Sequence, residues 1–194
     1  MNKTLFINAC LRSESRTLKL AKSIIKNTSG SVKNVNLYEE DIRPLNKENL
    51  MLRDKAAANN DFSNNYFHYA KEFRDADEII IAAPYWDLSF PAVLKVYFEN
   101  VCITNLTFTY GEDGKAISLC KAKKLIYVAT AGGYIPDKNF AFDYVDRLAK
   151  EFFGIKETTF IKAEGLDIYP NEADKIVNDV INSLNKWLEK KYDY

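Results

Sequence analysis

Three short segments concentrate residue types that bind or transform small molecules, and each follows a β-like run. The first is Cys10-Leu-Arg-Ser-Glu-Ser-Arg-Thr17, in which the hydroxyls of Ser13, Ser15 and Thr17 and the guanidinium groups of Arg12 and Arg16 stand where a helical pattern begins. A helix start offers unpaired amide N–H groups and the positive end of its dipole, so hydroxyl and guanidinium donors there make an anion site, with phosphate the natural ligand. The same residues also suit a plain helix cap, with Ser13 or Ser15 capping and the arginines solvated. The segment has no glycine and therefore matches neither the Gly-x-Gly-x-x-Gly fingerprint nor a Walker loop.

The second segment is Ala83-Pro84-Tyr85-Trp86-Asp87-Leu88-Ser89-Phe90-Pro91. Large aromatic side chains on a loop bury much area once covered, and a planar ligand beside Tyr85 or Trp86 would cover them; so would the core or a subunit interface. The third is Thr130-Ala131-Gly132-Gly133-Tyr134, which holds two of the chain's seven glycines. Paired glycines permit a left-handed backbone or a close approach to a ligand, and a simple turn uses them equally well.

Other chemistries are poorly supplied. His68 is the only histidine and lies in a helical pattern among aromatics, so it reads as a packing or surface residue and no multi-histidine metal site can form. The three cysteines, Cys10, Cys102 and Cys120, are widely spaced with no Cys-x-x-Cys pair, which argues against a disulfide framework and a zinc site. Acidic and basic residues balance at 27 each. Without a net field to draw phosphate backbones or anionic lipid, nucleic acid and membrane surfaces are not expected partners. No apolar signal region precedes Arg12, and the longest apolar run, Ile79 to Trp86, is too short to span a bilayer. The expectation is a soluble cytoplasmic protein forming one domain over residues 1–194.

The elements that must position these segments follow from periodicity. Thr4–Ala9, Val32–Tyr38, Glu78–Pro84, Lys124–Thr130 and Thr158–Ala163 read as strands, the third and fourth nearly continuous apolar runs suited to burial on both faces. Helical patterns run over Thr17–Lys26, Asp61–Ala76, from a first turn near Pro91 to Val101, over Phe140–Phe153, and from Ala173 through Trp187 and Leu188. This alternation predicts an α/β doubly wound sheet. Leu106–Tyr110, Gly111–Gly114 and Ala116–Leu119 predict a small hairpin before the fourth strand. In such sheets ligands bind outside the carboxyl ends of the strands, where all three segments fall.

Taken together, the segments resemble those of the flavodoxin-like FMN-dependent NAD(P)H:quinone oxidoreductases and azoreductases. The resemblance spans essentially the whole chain. It rests on Ser15-Arg16-Thr17, on the stretch from Ala83 through Pro91 to Lys95, on Thr107-Phe-x-Tyr110 followed by Gly114, and on Gly132-Gly133.

The resemblance implies a five-stranded parallel sheet in the order 2-1-3-4-5 with helices on both faces. It implies FMN as cofactor, NADH or NADPH as co-substrate, and a small flat aromatic acceptor such as a quinone or azo compound. Ser15, Arg16 and Thr17, with Arg12, would hold the phosphate. Pro84, Tyr85, Trp86, Asp87 and Leu88 would line the isoalloxazine, and Thr130, Ala131, Gly132 and Gly133 its pyrimidine side and ribityl chain. Tyr110 and Tyr134 would border the substrate.

The family's active site lies at a homodimer interface, so exposed aromatics such as Tyr66, Phe67, Phe140, Phe142 and Phe153 would face the partner. Asp87 departs from the asparagine common in azoreductases, and an ionised carboxylate cannot donate a hydrogen bond. No histidine follows Tyr134, so the tyrosine–histidine pair of the mammalian-type enzymes is lacking, and Tyr134 or solvent supplies protons. Two alternatives share the fold: a flavodoxin-type electron carrier, which the balanced charge disfavours, and a non-enzymatic flavin-binding or flavin-free module.

Overall fold

The computed structural model describes residues 2–192, with side chains through Lys186; Trp187, Leu188, Lys190 and Lys191 lie outside the described side chains. The strands are β1 (Lys3–Asn8), β2 (Ser31–Asn36), β3 (Glu78–Ala82), β4 (Phe108–Tyr110), β5 (Ala116–Ser118), β6 (Lys124–Thr130) and β7 (Glu157–Ala163). The helices are α1 (Arg16–Ile25), α2 (Lys47–Asn59), α3 (His68–Asp75), α4 (Ala92–Val101), α5 (Phe142–Glu151) and α6 (Ala173–Tyr192). Five strands form a parallel sheet in the order β2-β1-β3-β6-β7, which is the expected order once the hairpin strands β4 and β5 are counted. Ile79, Ile80 and Ile81 are fully buried because both faces of the central strand are covered. Leu20 and Ile24 of α1 and Val177 of α6 close one face. Residues of α2, α3, α4 and α5 close the other.

Local hydrogen bonds explain the boundaries that periodicity missed. The pattern over Asp61–Ala76 becomes helix only from His68, after a short 3-10 turn. Asp61 and Asn64 take the amides of Ser63 and Tyr66 on their side chains instead of releasing them to a helix. The Phe140–Phe153 pattern shortens to α5 because Asn139 Oδ1 accepts the amides of Ala141 and Phe142 at 3.0 and 2.8 Å. Helix α2 has no counterpart in the predicted elements. It buries only Ala56, so it carries no apolar stripe. Its position is set instead by Arg53, whose guanidinium donates to the carbonyls of Glu99 and Cys102 at the end of α4.

Two of the aromatics expected at the surface belong to the core. Phe67 is fully buried against Phe62, and Phe153 is packed on Phe73 with ring centroids 4.5 Å apart. Tyr66 and Phe142 are half-buried, and Phe140 alone of the five is widely exposed, at 73%.

Candidate functional site

Strands β1, β3 and β6 are neighbours in the sheet, so their carboxyl ends bring the three singled-out segments side by side. At the end of β1, the buried Asn8 side chain accepts the Cys10 amide at 3.0 Å and turns the chain out of the sheet. Ser15, not Ser13, caps α1: its Oγ accepts the Leu18 amide at 3.3 Å. Accepting leaves Ser15 its own O–H to donate. The first helical amides, Arg16 and Thr17, have no acceptor within the helix. Arg12 is exposed, and among the described residues no carboxylate pairs with it; Arg16 Nε lies 3.6 Å from Asp174 on α6. Burial beneath this loop pushes the Cys10 thiol up to about 11, so it stays protonated at neutral pH.

Thr17 is fully buried, and its hydroxyl lies 2.7 Å from that of Thr130. Thr130 also accepts the Tyr85 amide on its carbonyl at 3.0 Å. One residue at the end of β6 thus ties all three loops into a common cradle. The Thr17 hydroxyl is engaged in that tie, which leaves its amide as the free donor.

In the second loop Pro84 is buried, Tyr85 half-buried, and Trp86, Asp87 and Leu88 exposed. Trp86 and Ser89 exchange both backbone hydrogen bonds, at 2.9 and 2.8 Å, around Asp87 and Leu88 at φ +50° and +66°. That is a two-residue hairpin turn with both central residues left-handed, the form that favours Asn or Asp then Gly. Asp87 suits its place. Leu88 occupies the glycine position at a cost of about 1–2 kcal/mol. Neither of their amides has an acceptor among the described residues, so two N–H donors stand free beside the aromatic rings.

The paired glycines of the third loop are not left-handed, contrary to one of the expected uses. A Cβ built on Gly133 would meet nothing within 4 Å, so its backbone faces open space, whereas one on Gly132 would collide with the Asp167 carboxylate. Tyr134 is 62% exposed, and the neighbouring Tyr169 raises its pKa above the usual tyrosine value. Tyr169 and Asp167, from the loop after β7, were not singled out in the sequence. The rule that placed the other loops at strand carboxyl ends also covers this one.

Tyr110 does not join this cluster. Its hairpin packs Phe108 on Phe152 at 4.8 Å, and Ser118 bonds the Phe153 carbonyl. Both contacts lie beyond the C-terminal end of α5, whereas the site borders its N-terminal end. Between the two runs a surface groove of about 720 Å³ along α5, lined by Phe140, Tyr144, Arg147, Leu148 and Phe152. Ser89 Oγ donates to the Phe140 carbonyl at 2.9 Å, which joins the groove to the Asp87–Leu88 turn.

The donors present fit FMN. Amides and hydroxyls at a helix start suit its phosphate, free turn amides and half-buried aromatics suit a flat ring, and open space over Gly133 leaves room for that ring.

A family model described as flavodoxin-like fold matches residues 2–188. The chain is 35% identical over 198 residues to FMN-dependent NADH:quinone oxidoreductase 2 of Clostridium acetobutylicum, covering 96% of this chain and 98% of that one. It is also 35% identical over 196 residues to the FMN-dependent NADH:quinone oxidoreductase of Clostridium beijerinckii, with the same coverage. Its fold matches the crystal structure of an azoreductase from Bacillus anthracis with a TM-score of 0.84 at 23% identity, covering 98% of this chain and all of the other. An FMN complex of an FMN-dependent NADH-azoreductase from the same species matches at 0.77 and 19%, covering 97% of this chain and all of that one. The chain belongs to the flavodoxin-like family that includes the FMN-dependent NADH:quinone oxidoreductases.

Proposed function

We propose that the chain is an FMN-dependent oxidoreductase that uses NADH to reduce quinones, azo compounds or similar flat acceptors. The observation that carries this reading is the cradle tied at Thr130, in a chain 35% identical to named FMN-dependent NADH:quinone oxidoreductases. Bound there, FMN supplies two-electron hydride chemistry between reduced nicotinamide and acceptor. The protein's part is to hold, orient and exclude water.

Ser15 Oγ, the Arg16 and Thr17 amides and the Arg12 guanidinium hold the phosphate. The Asp87 and Leu88 amides meet the ring's polar edge, so Asp87 serves through its backbone N–H and its carboxylate stays in solvent. Tyr85 and Trp86 wall the flat ring, while Ala131, Gly132 and Gly133 border its pyrimidine side. Tyr134, exposed on the third loop, supplies an O–H donor at the acceptor side.

The working unit is a homodimer. A two-fold axis across α5 sets the grooves of two copies against each other with the helices antiparallel. That packing carries Tyr110 of the partner subunit from the far end of its α5 to this protomer's site. Three cysteines outside any disulfide suit a reducing compartment, the cytoplasm.

The phosphate assignment is tested by titrating FMN into flavin-free Arg12→Ala and Ser15→Ala. Each substitution removes a charge-assisted or hydroxyl bond and weakens binding about tenfold. Unchanged affinity in both overturns it.

A further inference from the structure

Among the carboxyl-end loops of the central strands and β7, the one after β7 has a carboxylate that the flavin assignment leaves unused. Three backbone bonds lace that loop to the glycine turn. The Gly165 amide donates to Gly133 O at 2.8 Å, Asp167 to Gly132 O at 2.9 Å, and Leu166 to Ala131 O at 3.2 Å. They press the Asp167 side chain onto Gly132. A Cβ built on Gly132 would fall 2.0 Å from Asp167 Oδ2 and 2.6 Å from its Cγ. The carboxylate therefore occupies the space a side chain at position 132 would fill. Because Gly132 is not left-handed, room for that carboxylate is what the glycine provides here.

Lys162 at the end of β7 and Arg16 at the start of α1 are committed elsewhere. Lys162 bonds Glu164 and the Ile135 carbonyl, and Arg16 pairs with Asp174. Asp167 is exposed, and among the described residues it has no ion-pair partner. Its position on the backbone assigned to the pyrimidine side of the flavin sets it apart from an ordinary solvated acid. That edge of the ring presents a single N–H, N3–H, between two carbonyl oxygens. An ionised carboxylate only accepts hydrogen bonds, so it complements the N–H and no other atom of the edge.

We propose that Asp167 accepts a hydrogen bond from the flavin N3–H, making it a cofactor-orienting residue supplied by the loop after β7. The inference rests on the FMN reading above. The test is a binding cycle on the full chain freed of flavin, with FMN and its N3-methyl analogue titrated into wild type, Asp167→Leu and Asp167→Ala by fluorescence quenching. Leucine keeps the branched shape and heavy-atom count of aspartate, with bulkier methyls, while removing the acceptor; alanine opens the space, and circular dichroism checks the folding of both.

Wild type is expected to bind the methylated flavin on the order of tenfold or more weakly than FMN, the loss expected for a hydrogen bond to a charged group. Both variants should bind FMN more weakly and discriminate little between the two flavins. Equal binding of the two by wild type overturns the proposal, and so does discrimination that persists undiminished in Asp167→Leu, which marks a steric effect. A wild type that binds neither flavin overturns the FMN reading itself, and the inference with it.

Discussion

At the scale of single residues, the site is built from side chains that do two jobs. Ser15 caps α1 by accepting and still has a proton to donate. Thr130 uses its hydroxyl on Thr17 and its carbonyl on Tyr85. Leu88 shows what such a site costs. It is 61% exposed and left-handed at φ +66°, so little packing compensates its backbone. Strain of this kind persists where the surroundings enforce it, commonly at ligand sites. Leu88→Gly is therefore expected to stabilise the flavin-free fold by about 0.5–1 kcal/mol, the left-handed penalty less the entropy of glycine. Urea midpoints check it, and a destabilised variant shows that the Leu88 side chain packs more than its exposure implies. The hydroxyl pair Thr17–Thr130 could not be read from the sequence, since the two lie 113 positions apart and only the fold joins them. The glycine pair was legible as special but not in its use, because Asp167 decides that from another strand.

At the scale of elements, the strands were the legible part. Runs such as Glu78–Pro84 and Lys124–Thr130 are apolar on both faces, and a parallel central strand demands that pattern. Helix α2 escaped because a single buried alanine leaves no period to detect.

A charge clasp ties the end of α3 to the approach to β6. Asp75, at the end of α3, receives Arg74 at 2.8 Å and Lys121, on the approach to β6, at 2.9 Å. The Arg74 hydrogen bond, aided by Lys121 and opposed by partial burial, lowers the Asp75 carboxyl to about 2. A depressed carboxylate contributes stability above its ordinary unfolded value, and that stability disappears as pH falls through the folded one. The stability gap between wild type and Asp75→Asn should therefore be full at neutral pH, shrink below about pH 4 and close near pH 2. Denaturation midpoints across that range check it, and a gap independent of pH contradicts the clasp.

At the scale of the whole molecule, the site loops and the hairpin sit at opposite ends of α5, joined by an apolar groove. One chain leaves Tyr110 far from its own site. The proposed two-fold pairing would bring it to the other. Phe140→Arg, which charges the most exposed aromatic of the groove, is expected to halve the mass seen by light scattering. It should also lower turnover, while FMN still binds at the phosphate loop. A dimer that persists with full activity contradicts the α5 pairing. The balanced 27 and 27 charges fit this picture, because flat uncharged acceptors need no steering field.

The most direct test of the central claim separates the two halves of turnover. Purified chain carrying FMN is mixed anaerobically with equimolar NADH while the flavin absorbance is followed, and a benzoquinone is then added. The cradle tied at Thr130 predicts that NADH bleaches the flavin bands and that the quinone restores them. A chain that binds no FMN, or whose bound flavin NADH leaves coloured, contradicts it.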